Sequence, residues 1–224
     1  MMNLDKSYEF FQPEKLKGRV HIIGCGSVGS TVAELLARFG CTNVTLYDFD
    51  IVEPHNLVNQ MFTADQIKMQ KVEAVRDLMA RINPECLNTV KMISTGYTNQ
   101  RLAGYVFLCV DNIDLRRQIA EANRLNGMID SMYDFRTRLT DAQHYAADWH
   151  DPESVANFIN SMQFSHEEAS EETPVSACHV TLAVPTTVRM ICELGVNNFI
   201  SHVKEQPLKK LILANSFEFT VDAF

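Results

Sequence analysis

The sequence predicts an α/β protein: a mostly parallel sheet with helices on both faces, extended at its C-terminal part by antiparallel strands and a long helix. Three observations predict it. Short, almost wholly apolar runs such as RVHII (Arg19–Ile23) and YVFLCV (Tyr105–Val110) alternate with segments whose apolar residues recur at helical spacing. Strands that lack polar alternation are covered on both faces, as in parallel sheets. After about residue 127 the chain changes to two longer runs, GMIDSMYDF and TRLTDAQHYA, that read as strands. With 224 residues and 46% hydrophobic content it can bury one substantial core, so 1–224 is expected to form a single domain.

Each element has a local reason. RVHII leads into the turn GCGSVG, after which Val28, Val32, Leu35, Leu36 and Phe39 mark a helix that Gly40 stops. NVTLYD is rich in β-formers and precedes a loop through Pro54. Val72, Val75, Met79 and Ile82 predict a second helix ending before Pro84. A strand is expected near Asn88–Ile93, then YVFLCV, then a helix carrying Leu115, Ile119 and Ala122. The two longer strands follow, and DPESVANFINSM predicts a capped helix beginning near Asp151–Pro152. SHEEASEETP reads as an exposed acidic loop. A long helix after Cys178 and a strand pair around LKKLILANSFEFTV close the chain.

Composition narrows the chemistry. The formal charge of −8 argues against binding nucleic acid through its phosphates. The start, MMNLDKSYEFFQPEK, lacks the basic-then-apolar layout of a signal peptide. The most apolar later segment is interrupted by Pro185, Arg189 and Glu193, which does not suit a membrane span. A cytoplasmic location without membrane contact is therefore expected. The six cysteines are scattered, with no Cys-x-x-Cys pair, so neither structural zinc nor a disulfide framework is expected. His144 and His150 lack ligand spacing and read as surface or interface residues, and Trp149 reads as packing.

GCGSVG (Gly24–Gly29) fits the Rossmann-like G-x-G-x-x-G pattern between a strand and a helix. Glycines there allow a tight turn and close approach of backbone to a ligand, and the helix N-terminus, with Ser27, favours negative charge. Asp48 follows about twenty residues later at a strand end, where a carboxylate accepts from ribose hydroxyls. These residues point to adenosine without choosing NAD over ATP. The stretch around them, LYDFDIVEPHNLVNQ (Leu46–Gln60), adds a second carboxylate, Asp50, and the carboxamides Asn56, Asn59 and Gln60.

Here the chain resembles the ThiF/MoeB/HesA superfamily, the ubiquitin-activating-type adenylyltransferases. Five elements in order carry the resemblance: Gly24, Gly26 and Gly29; Asp48 and Asp50; Asn56-Leu57-Val58-Asn59-Gln60; Lys71-Val72-Glu73; and Val110-Asp111-Asn112. It runs from about Arg19 to Asn112 and thins afterwards. It implies a nucleotide-binding core over about 18–132 and a divergent substrate or dimerisation part over 133–224. It also implies ATP and Mg²⁺ as cofactors, and a carboxylate substrate, usually the C-terminus of a ubiquitin-like or sulfur-carrier protein, converted to an acyl-adenylate. In the roles implied, Asp48 holds ribose, while Asn56 and Gln60 orient phosphate oxygens or the metal shell. Lys71 neutralises the triphosphate and the departing pyrophosphate, and Asp111 holds Mg²⁺. A homodimer is implied as well.

Each role has a plainer counterpart. Lys71 alone reads as a solvated helix charge, Asp50 as a turn residue and Asp111 as the N-cap of the following helix. Of Arg116 and Arg117, one is expected at the surface and one facing phosphate. Cys178, with His179 beside it, reads either as an ordinary partly buried thiol or as a nucleophile for a thioester or persulfide step. The chain also departs from the family. Asn59 stands where relatives have an arginine that grips the triphosphate, and an amide supplies neither its charge nor its fork. Lys68 or Arg116 would then compensate, or the protein would bind nucleotide without turnover. The glycine loop and Asp48 alone would also suit an NAD-dependent oxidoreductase.

Overall fold

A computed structural model describes residues 2–168 and 183–224. One eight-stranded sheet runs in the order β3-β2-β1-β4-β5-β6-β7-β8. Its parallel half comprises β1 (Arg19–Ile23), β2 (Val44–Tyr47), β3 (Lys91–Ile93) and β4 (Gly104–Leu108), with β4 also parallel to β5 (Ile129–Arg138). From β5 the sheet continues antiparallel through β6 (Asp141–Asp148), β7 (Leu211–Asn215) and β8 (Thr220–Ala223). The helices are α1 (Ser27–Arg38), α2 (Lys71–Ile82), the single turn α3 (Cys86–Thr89), α4 (Ile113–Ala122), α5 (Pro152–Asn160) and α6 (Pro185–Val203).

The fold class is the one the sequence predicts. The apolar strands alternate between two cores: Val20, Ile22, Leu46 and Phe107 pack with α1, α2 and α6, whereas Ile23, Val106, Leu108 and Met132 pack with α4 and α5. Coverage of both faces is why these strands show no regular polar alternation. The strand expected from Asn88 begins only at Lys91. Pro84 and Glu85 start a turn, with Asn83 Oδ1 accepting from Glu85 N, and Cys86–Thr89 complete it as α3. The acidic stretch expected as a loop lies partly, and Cys178 wholly, outside the described residues.

His144 corrects the surface reading. It is fully buried, because β6 turns Ala142, His144 and Ala146 toward α6 while Gln143 and Tyr145 face the other way. Its ring lies against Phe135 at a 4.6 Å centroid distance, Nδ1 meets Asp134 O at 3.1 Å, and Nε2 meets Asn198 Nδ2 at 3.2 Å. His150 stays at the surface, and Trp149 packs as expected, with Nε1 donating to Asn123 O.

Burial lowers the pKa of His144 to about 4, and burial likewise lowers that of His21 to about 4. In the unfolded chain both take a proton near pH 6.5, whereas in the folded protein they stay neutral until about pH 4. Stability is therefore expected to fall as pH drops through that window, by on the order of 3 kcal/mol per histidine at its acid end. Urea unfolding between pH 7.5 and 4.5 checks this. His144→Phe should be less stable at pH 7.5 yet show a slope about half as steep. An unchanged slope would remove His144 as a cause.

Candidate active site

The site sits where sheet order reverses. β1 has β2 on one side and β4 on the other, reached by separate crossovers, so the carboxyl ends of β1, β2 and β4 open a crevice. A cleft of about 1970 Å³ occupies it and continues across the face of β5–β8.

The glycine loop does two jobs. Gly24 has φ +97°, and a Cβ there would lie 2.7 Å from Cys109 C and Val110 N, so only glycine lets β1 end beside β4. A Cβ on Gly29 would meet Gly24 O at 1.9 Å; Gly29 serves the packing of α1 on the loop and does not line the cleft. Gly26 and Ser27 do line it, and a Cβ on Gly26 would enter open space. The first turn of α1 thus faces the cleft across Gly26, where helix N-terminal N–H groups suit an anion.

The carboxylates are held in different ways. Asp48 Oδ2 accepts from Cys25 N at 2.6 Å and Oδ1 from Asp50 N at 2.8 Å, which fixes the group at the strand end. Burial raises its pKa, opposed by those two N–H groups and by Lys71. Each oxygen retains a lone pair for a hydroxyl donor. Asp50 Oδ2 pairs with Lys71 Nζ at 2.8 Å, and the Lys71 side chain is only 10% exposed. Lys71 is thus not a solvated helix charge but a cation aimed into the cleft and held by a half-exposed partner.

Asp111 is exposed and lines the cleft, and among the described residues its carboxylate has no hydrogen-bond or ion-pair partner. It is not the cap of α4. Asn112 takes that role, its Oδ1 accepting from Leu115 N at 2.9 Å, and Asn112 does not line the cleft. Asn56, Asn59 and Gln60 all line it. Asn56 is buried, with Oδ1 accepting from Glu53 N. Gln60 Oε1 is buried without a partner. Turned either way, this amide offers an oxygen to a metal-bound water or an N–H to a phosphate.

Arg116 differs most from expectation. It is buried, and its guanidinium donates to Asp134 Oδ1 at 2.7 Å, to Phe135 O at 2.6 Å and to Val110 O. Arg117 turns instead to Met162 O and Asp114. Lys68 is exposed and outside the cleft lining. Among the described residues no group of three or more His, Cys, Asp or Glu is placed to hold a metal, so a cation here would need oxygens from its ligand.

Sequence reasoning missed the far half of the cleft. Arg136 lines it, with Nε donating to Asp134 Oδ2 at 2.7 Å and its guanidinium 4.1 Å from the centroid of the Tyr145 ring. Arg136, Gln143, Leu213 and Asp222 are cross-strand partners on one sheet face, as are Arg138, Asp141, Asn215 and Thr220. The signal was the period-two spacing of Arg136 and Arg138 in YDFRTR.

Fold and crevice together define an open α/β protein with its main cleft at the carboxyl edge of the sheet, the edge where folds of this class bind ligands. The chain belongs to the ThiF family, whose model matches residues 9–223. Ubiquitin-like modifier-activating enzyme 5 of Drosophila virilis is 34% identical over 143 residues, 57% of this chain and 35% of that protein. The molybdopterin-synthase adenylyltransferase of Haemophilus influenzae is 34% identical over 122 residues, 51% of this chain and 49% of that protein. The chain spans about half or less of these curated relatives. Among solved structures, E. coli MccB with ATP superposes at a TM-score of 0.68, with 17% identity and coverage of 95% of this chain and 65% of that one. PaaA superposes at 0.70, with 15% identity and coverage of 98% and 68%. At such identities the likeness shows the fold alone. Among the described residues no helix is long and apolar enough to cross a membrane.

Proposed function

We propose that this protein is an ATP- and Mg²⁺-dependent adenylyltransferase. It activates a carboxylate, the C-terminus of a ubiquitin-like or sulfur-carrier protein, as an acyl-adenylate with release of pyrophosphate. The observation that carries the reading is Asp111: a carboxylate at the carboxyl edge of the sheet that does not cap α4 and has no hydrogen-bond or ion-pair partner among the described residues. Family membership and the names of the relatives support the reaction class.

In this reading Asp48 holds ribose hydroxyls, and the first turn of α1 faces phosphate across Gly26. Lys71 leaves Asp50 to balance the charge that grows as pyrophosphate departs. Asp111 and Gln60 would hold Mg²⁺ and its waters, and the cation would neutralise phosphate charge there. The substrate tail lies extended along the Arg136–Asp222 face, its carboxylate toward the nucleotide. The reading includes a homodimer, supported by β8, whose four residues are all exposed and which is flanked by exposed Phe219 and Phe224. No step is assigned to Cys178.

Purified protein with a ubiquitin-like or sulfur-carrier protein ending in Gly-Gly is expected to catalyse ATP–pyrophosphate exchange. Asp111→Asn should lower it by at least about tenfold with little change in melting temperature. Asn59 favours a second reading, nucleotide binding without turnover, since the cleft lacks a guanidinium at that position. Calorimetric ATP binding with no exchange on any such substrate would select it.

A further inference from the structure

The position of Arg116 is explained by a gap in the sheet. β4 and β5 pair up to Leu108 and Asp134, and then separate. β5 runs on to Arg138 paired with β6, while the β4 chain turns away through Val110 and Asp111 into α4. Main-chain carbonyls on the two sides of that fork lose their ladder partners, and orphan carbonyls at such depth need donors. Arg116 fills the fork. Its Nε donates to Val110 O at 2.6 Å, and Nη2 donates to the same oxygen. Nη1 reaches across to Phe135 O at 2.6 Å and to Asp134 Oδ1 at 2.7 Å. Asp134 is fully buried and is held from its other oxygen by Arg136. Four of the five N–H donors of Arg116 are thereby committed inside the protein. The carbonyl they hold from two nitrogens belongs to the residue immediately before Asp111.

We propose that Arg116 is a positioning residue for Asp111: by clamping Val110 O to β5 it sets where the Asp111 carboxylate meets a divalent cation, and it does not itself touch phosphate. This rests on the nucleotide reading above. A lysine in its place keeps the charge and loses the fork. Groups hydrogen-bonded directly to a metal ligand are worth about 10–100-fold in metal affinity, and a clamp acting through the preceding peptide group is expected at the low end of that range.

The test uses the intact protein with a nonhydrolysable ATP analogue and Mn²⁺ as the metal probe. In Arg116→Lys, metal-free analogue binding by calorimetry should stay within about twofold, while Mn²⁺ binding to the analogue complex, followed by electron paramagnetic resonance, should weaken by about tenfold. The Arg116→Lys, Asp111→Asn double variant should lose no more Mn²⁺ affinity than Asp111→Asn alone. Equal loss of analogue affinity with and without Mn²⁺ would make Arg116 a phosphate ligand and overturn the proposal, as would unchanged Mn²⁺ affinity. Should Arg116→Lys fold poorly, the wild-type Nε–H resonance of Arg116 decides. It should be protected before any ligand is added and stay in place when metal-free analogue binds; a large shift overturns the proposal. Asp111→Asn separates the two levels. If Mn²⁺ affinity ignores that change, the nucleotide reading itself fails; if it responds there and not in Arg116→Lys, only the positioning role fails.

Discussion

A Lys71→Met variant is expected to lose about 10²–10³-fold in ATP–pyrophosphate exchange, the loss typical of removing one preorganised charge from a site of developing negative charge. The magnitude follows from burial: the Lys71 side chain is 10% exposed and lines the cleft. In the free protein its charge is balanced by Asp50, whose side chain is 49% exposed. Because Asp50 can rehydrate when the lysine goes, unfolding stability should change by no more than about 1 kcal/mol. The two readouts together separate a charge used on a ligand from a charge used on the fold. Exchange within threefold of wild type would show that Lys71 only answers Asp50.

Asp134→Ala should show the opposite pattern, a large loss of stability. It leaves two guanidinium groups facing each other, with Arg116 9% and Arg136 15% exposed in their side chains. Breaking a buried pair from one side costs about 3–5 kcal/mol, because the remaining charge is left uncompensated. Denaturation midpoints measure this, and a change below about 1 kcal/mol would mean that the network is not holding β4 to β5. The acid limb gives a second view. Burial would raise the pKa of Asp134, but Arg116 and Arg136 outweigh it and lower the pKa. Its contribution is thus present above the ordinary aspartate pKa and lost as pH falls through the lowered folded value. The alanine variant should lack that part of the acid transition, while the losses assigned to His21 and His144 at higher pH remain.

Much of the fold was legible in the sequence because its signals are local. RVHII and YVFLCV are apolar at every position after the first residue of each except one, and the structure buries them between two layers. Gly24 and Gly29 stand where any side chain would strike backbone, which makes a glycine loop readable without a fold. The Asn88 error came from a helical turn of four residues, too short for periodicity to show. The burial of His144 was illegible for a different reason. A polar residue on a half-buried strand declares its face only once its neighbours on α6 and β5 are known.

For this protein, the sequence alone determined the α/β class, the glycine turn and Asp48 at the following strand end, because each depends on local spacing, while Lys71 and Asp111 were legible only through the resemblance to the family's order of motifs. Only the tertiary structure decided that Asn112 rather than Asp111 caps α4, and that Arg116 serves Val110, Asp134 and Phe135. Those outcomes are competitions for hydrogen-bond partners. They are settled by how Ile113 seats in the core and where β4 parts from β5, which depend on contacts between distant segments that no local pattern encodes.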